Sequence, residues 1–353
     1  MLTRRPNILY NILATLPNRL ISSQESNILF ETFENAGKII LNRPKALNSL
    51  NISMTTRMLE QLREWEKTKS LVIVKGSGEK AFCAGGDVKI GLTSKAGTAF
   101  FRSEYKVIYL ISKYKIPYVS LIDGYTMGAG LGISVPGKYR IATENTIVSM
   151  PENKIGLCPD VGGTYFLPRL KSMIGFYLGL TGELLQGYDA VTAGLATHFV
   201  PSQYLNEFEK ELSNCSSEEE INTLLSKFSE SSEEFSLEPY VKHIEFCFSA
   251  QTVEEILERL KTVKVNWSRK TSETLNRLCP GSLKVTLRAL KTGSHLNLKE
   301  CLQMEYRLTS RVRAVLVDKD KNPKWNPSSL SEVTEEYVDG FFVKLPEENE
   351  LQL

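Results

Sequence analysis

Residues 149–170, SMPENKIGLCPDVGGTYFLPRL, determine how the rest of the chain is interpreted. They place two carboxylates, Glu152 and Asp160, among three prolines and three glycines with apolar residues on either side. This density of proline and glycine argues against one long helix, so we predict a buried, irregular turn that leaves a strand and enters a helix. A buried carboxylate costs free energy unless it is paired, hydrogen-bonded or protonated, and enzymes tune acids and bases in this way. The stretch alone leaves two interpretations open: functional acids, or ordinary turn and helix-cap residues.

The segments before this stretch repeat the order strand, loop, helix. Apolar runs at 71–74 and 118–122 are typical of strands buried on both faces. Each run is followed by a glycine-rich segment and a helical pattern, and two more short strands, near 139–142 and 146–149, lead to Glu152. This repetition predicts a parallel sheet joined by right-handed crossovers.

The first part of this core is predicted to be a hairpin followed by a helix. β-rich runs at 28–33 and 38–42 flank a turn signal, and apolar residues recur at helical spacing from 52 to 67. After residue 203 the pattern becomes mostly helical, with a capping-box helix start at Ser217. The predicted fold class is therefore α/β, followed by a C-terminal helical region.

The first residues of the chain differ from the rest. Arg4, Arg5 and Arg19 are present, but no acid precedes Glu25, a composition typical of a mitochondrial transit peptide. A structural N-terminal arm is the alternative. The predicted division of the chain is a mitochondrial transit peptide at 1–25, an α/β core at 26–202 and a mostly helical region at 203–353.

Composition excludes several classes of function. With 42% apolar residues, 24% charged residues and a net charge of +2, the chain resembles a globular protein that binds neither nucleic acid nor membrane. Its six cysteines form no C-x-x-C pair and its three histidines are scattered, so we expect no metal site and no disulfide framework. The absence of G-x-S-x-G argues against a serine nucleophile.

Two glycine-rich turns, AGGD at 84–87 and MGAGLG at 127–132, each follow a predicted buried strand. The backbone N–H groups at such turns are unpaired donors that favour a negative charge. Two turns converging on one point would form an oxyanion hole, in which each donor contributes roughly 3 kcal/mol in the transition state. Each turn taken alone is explained better by a tight turn or close packing than by function. A dinucleotide site is disfavoured because Ile133 occupies the position of the last glycine in G-x-G-x-x-G.

The combination of these stretches resembles the crotonase (enoyl-CoA hydratase/isomerase) superfamily. The resemblance rests on AFCAGGDV at 81–88, DGYTMGAGLG at 123–132 and the stretch at 150–170. It extends to the hydrolase branch of that superfamily through KVTLRAL at 284–290, MEYRL at 304–308 and VRAVLVDKD at 312–320. It implies a crotonase-like spiral of ββα turns followed by helices.

The resemblance also implies roles for individual residues. The N–H groups of Gly86 and Ala129 would polarise a thioester carbonyl, although most relatives have glycine where Ala129 stands. Glu152 and Asp160 match the catalytic carboxylates of the hydrolase pattern. Glu104 matches a substrate-contacting acid, with an exposed helix residue as the alternative.

One missing acid separates the reactions of the superfamily. Hydratases and dienoyl-CoA isomerases need an acid where this chain has Gly132, so hydration lacks its acid–base partner. Thioester hydrolysis needs only an oxyanion hole and one carboxylate that attacks or activates water. The resemblance thus implies hydrolysis of 3-hydroxyisobutyryl-CoA to 3-hydroxyisobutyrate and CoA in valine catabolism, in the mitochondrial matrix.

The resemblance implies an acyl-CoA substrate as the binding partner. Because CoA is part of that substrate, we expect no separate cofactor. A homo-oligomer is compatible with the resemblance. Two alternatives stay open. One is another crotonase activity, dienoyl-CoA isomerase or enoyl-CoA hydratase. The other is a catalytically weak CoA-binding protein.

Overall fold

The computed structural model describes residues 26–87, 95–232, 234–312 and 325–353. The predicted transit peptide and most of the motif at 312–320 lie outside these residues. The predicted α/β core and helical C-terminal region are both present, so the predicted fold class is confirmed. The division into segments at residues 25 and 202 stays a prediction.

In the part of the chain that the structure describes, ten strands form two sheets. Their bounds are β1 Ile28–Thr32, β2 Ala36–Leu41, β3 Leu71–Gly76, β4 Ala81–Cys83, β5 Tyr118–Leu121, β6 Tyr125–Met127, β7 Tyr139–Ala142, β8 Ile147–Ser149, β9 Leu185–Gln186 and β10 His198–Phe199. The larger sheet has the order β1-β2-β3-β5-β7-β10, and the smaller has the order β4-β6-β8-β9. Among these ten described strands, β1–β2 and β8–β9 are the antiparallel pairs. From β3 onward, each turn of chain adds one strand to each sheet, which is the expected ββα repeat.

The helices of the core are α1 Ile52–Thr68, α2 Lys95–Ser112, α3 Ala129–Ser134, α4 Gly163–Phe166, α5 Ile174–Thr181 and α6 Asp189–Thr192. The helical spacing from 52 to 67 corresponds to α1, whose apolar face (Met54, Met58, Leu62 and Trp65) is buried. Helix α6 ends at Thr192, close to Gly194, whose positive φ of 90° is incompatible with a continuing α-helix.

The helices that follow are α7 Ser202–Leu212, α8 Glu218–Phe228, α9 Val241–Phe248, α10 Val253–Thr262, α11 Asn266–Arg277, α12 Pro280–Gly293, α13 Leu298–Val312 and α14 Glu335–Phe342. The predicted cap is present, since Ser217 Oγ accepts a hydrogen bond from the N–H of Glu220 in the first turn of α8. The end of the chain lies along α13, where Arg307 Nε donates to Glu350 Oε1 at 2.8 Å and Gln303 Nε2 donates to Leu351 O at 3.1 Å.

Candidate active site

The site lies where three neighbouring strands of the smaller sheet end. Strands β4, β6 and β8 run parallel, so their carboxyl ends and the loops that follow meet at one edge. The loops at 84–87 and 150–162 and the start of α3 surround a cavity of about 120 Å³. All five residues predicted for the site line this cavity: Gly86, Glu104, Ala129, Glu152 and Asp160.

The first oxyanion-hole candidate, Gly86, is held by the loop before α1. Leu50 N donates to Gly85 O at 2.9 Å, and Asp87 N donates to Leu50 O at 2.7 Å. Arg43 Nη2 pairs with Asp87 Oδ2 at 2.9 Å and fixes the far end of the same turn. No described residue accepts a hydrogen bond from the N–H of Gly86 itself. This donor is therefore available at the cavity wall.

The second candidate, Ala129, is the first residue of α3. The N–H of the first helical residue has no acceptor within the helix, and no described residue outside the helix accepts from Ala129 N. This N–H is therefore available to a bound molecule. The two turns are close neighbours, because a Cβ added to Gly85 would lie 3.8 Å from Met127 O. Both donors thus belong to one wall of the cavity, as an oxyanion hole requires.

Glu152 lies directly against this wall. Gly128 has a φ of 48°, and a Cβ added to it would lie 2.8 Å from Glu152 Oε1, so only glycine fits beside the carboxylate. Glu152 begins a short 3₁₀ turn, Glu152–Ile155, that leaves β8. Its side chain is buried, and Oε2 has no hydrogen-bond partner among the described residues. A buried carboxylate oxygen without a partner is available to a bound molecule.

Glu104 reaches the same cavity from α2. The residue is 1% exposed, which excludes an exposed helix position. Its Oε1 has no partner among the described residues and lies 3.7 Å from the position of a Cβ on Gly86. Burial raises the pKa of Glu104 well above its usual value, and the charge of Asp160 raises it further.

Asp160 completes the group of acids and has one firm partner. Tyr105 Oη, on α2, donates to Asp160 Oδ2 at 2.6 Å. Burial raises the pKa of Asp160 to about 6, although the hydrogen bond from Tyr105 opposes the shift. Burial also raises the pKa of Glu152, and the negative charge of Asp160 adds to that rise.

No lysine, arginine or histidine in the described part of the chain forms an ion pair with Glu104, Glu152 or Asp160. Like charges confined to one small cavity disfavour simultaneous ionisation, so the acids titrate as a coupled set. Such a set can hold a proton on one carboxyl while another acts as base or nucleophile.

Within the described ranges, no group of three or more His, Cys, Asp or Glu side chains has the arrangement of a metal site. Nor does any described helix have the length and apolarity to cross a membrane.

The position of the missing hydratase acid is filled by apolar side chains. A Cβ added to Gly132 would lie 2.6 Å from Val161 Cβ and 3.1 Å from Ile108 Cδ1. An acidic side chain at residue 132 would therefore displace Val161, which lines the cavity. The structure thus gives a steric reason for glycine here, in addition to the chemical one.

Two buried residues beside the acids escaped prediction from the sequence. Tyr105 binds Asp160, and Glu305 on α13 accepts from the N–H of Gly162 at 2.8 Å. Burial raises the pKa of Glu305 to about 8, opposed by its hydrogen bonds from Thr164 and Gly162. The signal for Glu305 was available, because it stands among apolar residues in the helical motif MEYRL.

With this geometry established, comparison with known proteins identifies the family. A sequence model of the family "Enoyl-CoA hydratase/isomerase" matches residues 36–342. A Danio rerio protein named "3-hydroxyisobutyryl-CoA hydrolase, mitochondrial" is 45% identical over 350 residues, which cover 92% of each chain. A Homo sapiens protein of the same name is 44% identical over 342 residues, covering 90% of this chain and 89% of that protein. The chain therefore belongs to the enoyl-CoA hydratase/isomerase family.

Two solved structures resemble the fold over nearly the whole chain. A carnitinyl-CoA dehydratase from Mycobacterium thermoresistibile has a TM-score of 0.86 at 32% identity, covering 92% of this chain and 98% of that one. An enoyl-CoA hydratase from Rhodobacter sphaeroides has a TM-score of 0.84 at 32% identity, covering 93% and 100%. The spiral core and the C-terminal helices are thus both shared with solved members of the family.

Proposed function

We propose that this chain hydrolyses the thioester of 3-hydroxyisobutyryl-CoA to 3-hydroxyisobutyrate and CoA. The observation that carries the proposal is the buried Glu152 carboxylate beside the backbone N–H groups of Gly86 and Ala129. One oxygen of Glu152 and both N–H groups have no hydrogen-bond partner among the described residues. The names of the relatives at 44% and 45% identity supply the substrate. The filled space at Gly132 argues against hydration of a double bond, which needs a second acid there.

In the proposed reaction, the thioester carbonyl oxygen accepts hydrogen bonds from the N–H groups of Gly86 and Ala129. These donors stabilise the negative charge that develops on the oxygen as the carbonyl carbon becomes tetrahedral. The C–S bond then breaks, and CoA leaves as the thiolate. Each N–H contributes roughly 3 kcal/mol to this step, the range measured for single oxyanion-hole donors.

Glu152 supplies the attacking group in one of two ways. Its carboxylate either attacks the carbonyl carbon and forms a mixed anhydride, which water then hydrolyses, or removes a proton from the water that attacks. Both routes consume one water and yield one carboxylic acid and one thiol. Both need Glu152 ionised, and its raised pKa makes it a stronger base than an exposed carboxylate.

Asp160 and Glu104 are proposed to receive the 3-hydroxyl end of the acyl group. Glu104 Oε1 is buried without a partner among the described residues, so it has capacity for one hydrogen bond with a bound hydroxyl. Asp160 keeps its own orientation through Tyr105 and lines the same cavity. CoA enters as part of the substrate, and no separate cofactor or metal is needed for this chemistry.

The names of the relatives support a proposal for the cellular setting. Their names include the word mitochondrial, and the acid-free segment before Glu25 is typical of a transit peptide. We therefore place the reaction in the mitochondrial matrix, as a step of valine catabolism. The proposal also includes assembly of this chain into a homo-oligomer.

Thiol release from 3-hydroxyisobutyryl-CoA tests the function. The wild type should release CoA, and Glu152→Gln should reduce kcat by about 10²- to 10⁴-fold, the contribution of a positioned acid–base group. Glu209→Gln, a change in a buried carboxyl outside the cavity lining, should leave kcat close to that of the wild type. Equal rates in the wild type and Glu152→Gln, or water addition to a 2-enoyl-CoA in place of thiol release, would contradict the proposal.

Trapping with hydroxylamine separates the two roles of Glu152. If a mixed anhydride forms, hydroxylamine present during turnover converts some Glu152 into a hydroxamate, which mass analysis of the peptide carrying residue 152 detects. If Glu152 is a general base, that peptide keeps its mass, and hydroxamate appears only on the released acid.

A further inference from the structure

The turn that follows Asp160 has an unfavourable backbone. Val161 has a φ of 53° and Gly162 a φ of 87°, and the N–H of Gly163 donates to Asp160 O at 2.7 Å. Positive φ at both central residues is the pattern of a type I′ turn, for which Asn-Gly or Asp-Gly is preferred. A β-branched residue at the first of these positions is strained. Such a conformation persists only when surrounding groups hold it.

Glu305 provides the group that holds this turn. Its Oε2 accepts from Gly162 N at 2.8 Å, while its Oε1 accepts from Thr164 N at 2.9 Å and from the Thr164 hydroxyl at 2.6 Å. The residue is 0% exposed, and it lies on α13, more than 140 positions away along the chain. One carboxylate thus accepts three hydrogen bonds from the turn that carries Asp160 and Val161.

We propose that Glu305 is a positioning residue for thioester hydrolysis, one that holds the 160–164 turn so that Asp160 faces the cavity and Val161 covers Gly132. The inference rests on the proposed function, which it deepens. Glu305 does not line the cavity, so it acts through the turn and not on the substrate.

The choice of a carboxylate supports this role. Burying an acid without an ion-pair partner in the described part of the chain is expensive, and an apolar residue would pack against α4 at lower cost. An ionised carboxylate presents acceptors on both terminal atoms, whereas the Nε2 of glutamine is a donor. Burial raises the pKa of Glu305, but the hydrogen bonds from Thr164 and Gly162 favour this ionised form and oppose that rise. Three donors converging on two oxygens therefore require glutamate or aspartate, and aspartate is one methylene too short to keep the same reach.

The variant that tests the inference is Glu305→Gln, with Glu209→Gln as its matched control. Glutamine keeps the size of Glu305 but sets an N–H₂ group against an N–H of the turn. We expect kcat for thiol release to fall by about 10- to 100-fold, as displacement of a reacting group by about 1 Å does, with KM changed less than about threefold. Glu209→Gln also alters a buried carboxyl and should keep kcat within about twofold.

Thr164→Val keeps the test valid if Glu305→Gln fails to fold. It removes only the hydroxyl donor and leaves both N–H groups bound to Glu305. We expect a smaller fall in kcat, with the ordering wild type, Thr164→Val, Glu305→Gln where both variants fold. A Thr164→Val enzyme with the kcat of the wild type, in the absence of folded Glu305→Gln, overturns the inference.

A double-mutant cycle separates positioning of Asp160 from a general loss of packing. If Glu305 acts through Asp160, the Asp160→Asn/Glu305→Gln double variant should have the same kcat as Asp160→Asn alone. Multiplication of the two losses would show that Glu305 does not act through Asp160, and overturns the inference. A wild type that releases no thiol overturns the proposed function and this inference with it. Wild-type turnover combined with an unchanged kcat in Glu305→Gln overturns the inference alone.

Discussion

The chain buries carboxylates in two regions, and the pKa values of these carboxylates shift in opposite directions. Glu209 on α7 is 7% exposed and binds two cations, with Lys38 Nζ at 2.9 Å and Lys75 Nζ in direct contact. Burial alone would raise the pKa of Glu209, but hydrogen bonds from Lys75 and Lys38 outweigh it and lower the pKa. In the cavity, burial raises the pKa of Glu152 and Asp160, and no described cation pairs with either.

This difference in pKa shift distinguishes a structural acid, which connects a helix to a sheet, from acids in the cavity that stay reactive. Lys38 and Lys75 project from the neighbouring strands β2 and β3, so Glu209 ties α7 to the sheet. Around Glu152, the chain provides backbone N–H groups and apolar side chains instead, which leaves the carboxylate basic and partly unbonded. The first arrangement gains stability, whereas the second gives up stability to keep a reactive group.

The largest effect on stability is expected at Glu209. Glu209→Gln leaves Lys38 and Lys75 without their shared anion and should lower the free energy of unfolding by about 3 kcal/mol. Because the folded pKa of Glu209 is lowered, this contribution is present above the unfolded value near 4.5 and is lost as pH falls through the folded pKa. Urea denaturation at pH 7 and near pH 3 should therefore show a large difference from wild type that shrinks in acid.

Asp160→Asn should change stability in the opposite direction. The folded pKa of Asp160, about 6, lies above its ordinary value of 3.8, so its ionisation opposes folding as pH rises through this interval. The full shift corresponds to about 3 kcal/mol, and relaxation around the cavity reduces the expected gain to about 2 kcal/mol at pH 8. Denaturation at pH 8 and pH 3 checks this, since the gain should vanish below both pKa values. Destabilisation at pH 8 would make the two regions alike.

Asp160→Asn should also change the pH dependence of catalysis. The acid limb of kcat/KM should report ionisation of Glu152, whose pKa is raised by burial and then by the charge of Asp160. Asp160→Asn removes that charge, so whatever activity remains should have its acid limb at lower pH than the wild type. A pH profile of thiol release measures the shift, and a limb that stays in place or moves to higher pH would contradict the coupling.

The smallest effect is expected when a cation is added at the cavity. Ile155 lines the cavity and is 38% exposed, so Ile155→Lys places a solvated charge near Glu152. The acid limb of kcat/KM should move slightly to lower pH, and about 0.5 M salt should reverse most of the change by screening. Leu184→Lys, at an exposed position outside the cavity lining, is the control and should leave the limb unchanged.

Much of this arrangement could be predicted from local patterns. The apolar runs at 71–74 and 118–122 correspond to β3 and β5, because strands buried on both faces need continuous apolar residues. The residues predicted for the site line one cavity, since glycine turns and acids that follow parallel strands reach the same edge. Their chemical roles remain predictions until the variants are measured.

What could not be predicted depends on contacts between distant segments. Glu305 and the turn it binds lie on elements whose relative placement no local pattern determines, and the same holds for Glu209 and its two lysines. Helix ends were also imprecise. Helix α5, for example, begins at Ile174 because the two preceding residues, Ser172 and Met173, have positive φ, which no sequence pattern indicates. Ser217 was predicted correctly as a helix cap, but Glu220 binds the N–H of Ser216 and not that of Ser217.

The position of Glu305 on α13 has a consequence for protein synthesis. Every residue proposed to touch the substrate has been synthesised once residue 160 is added to the chain. The carboxylate that holds its turn is added much later, followed by the tail that binds α13 through Glu350 and Leu351. A premature stop codon between these points would yield a chain with all five proposed site residues and an unsupported Asp160. Such a truncation should be inactive, although a test of the proposed site residues alone would classify it as intact.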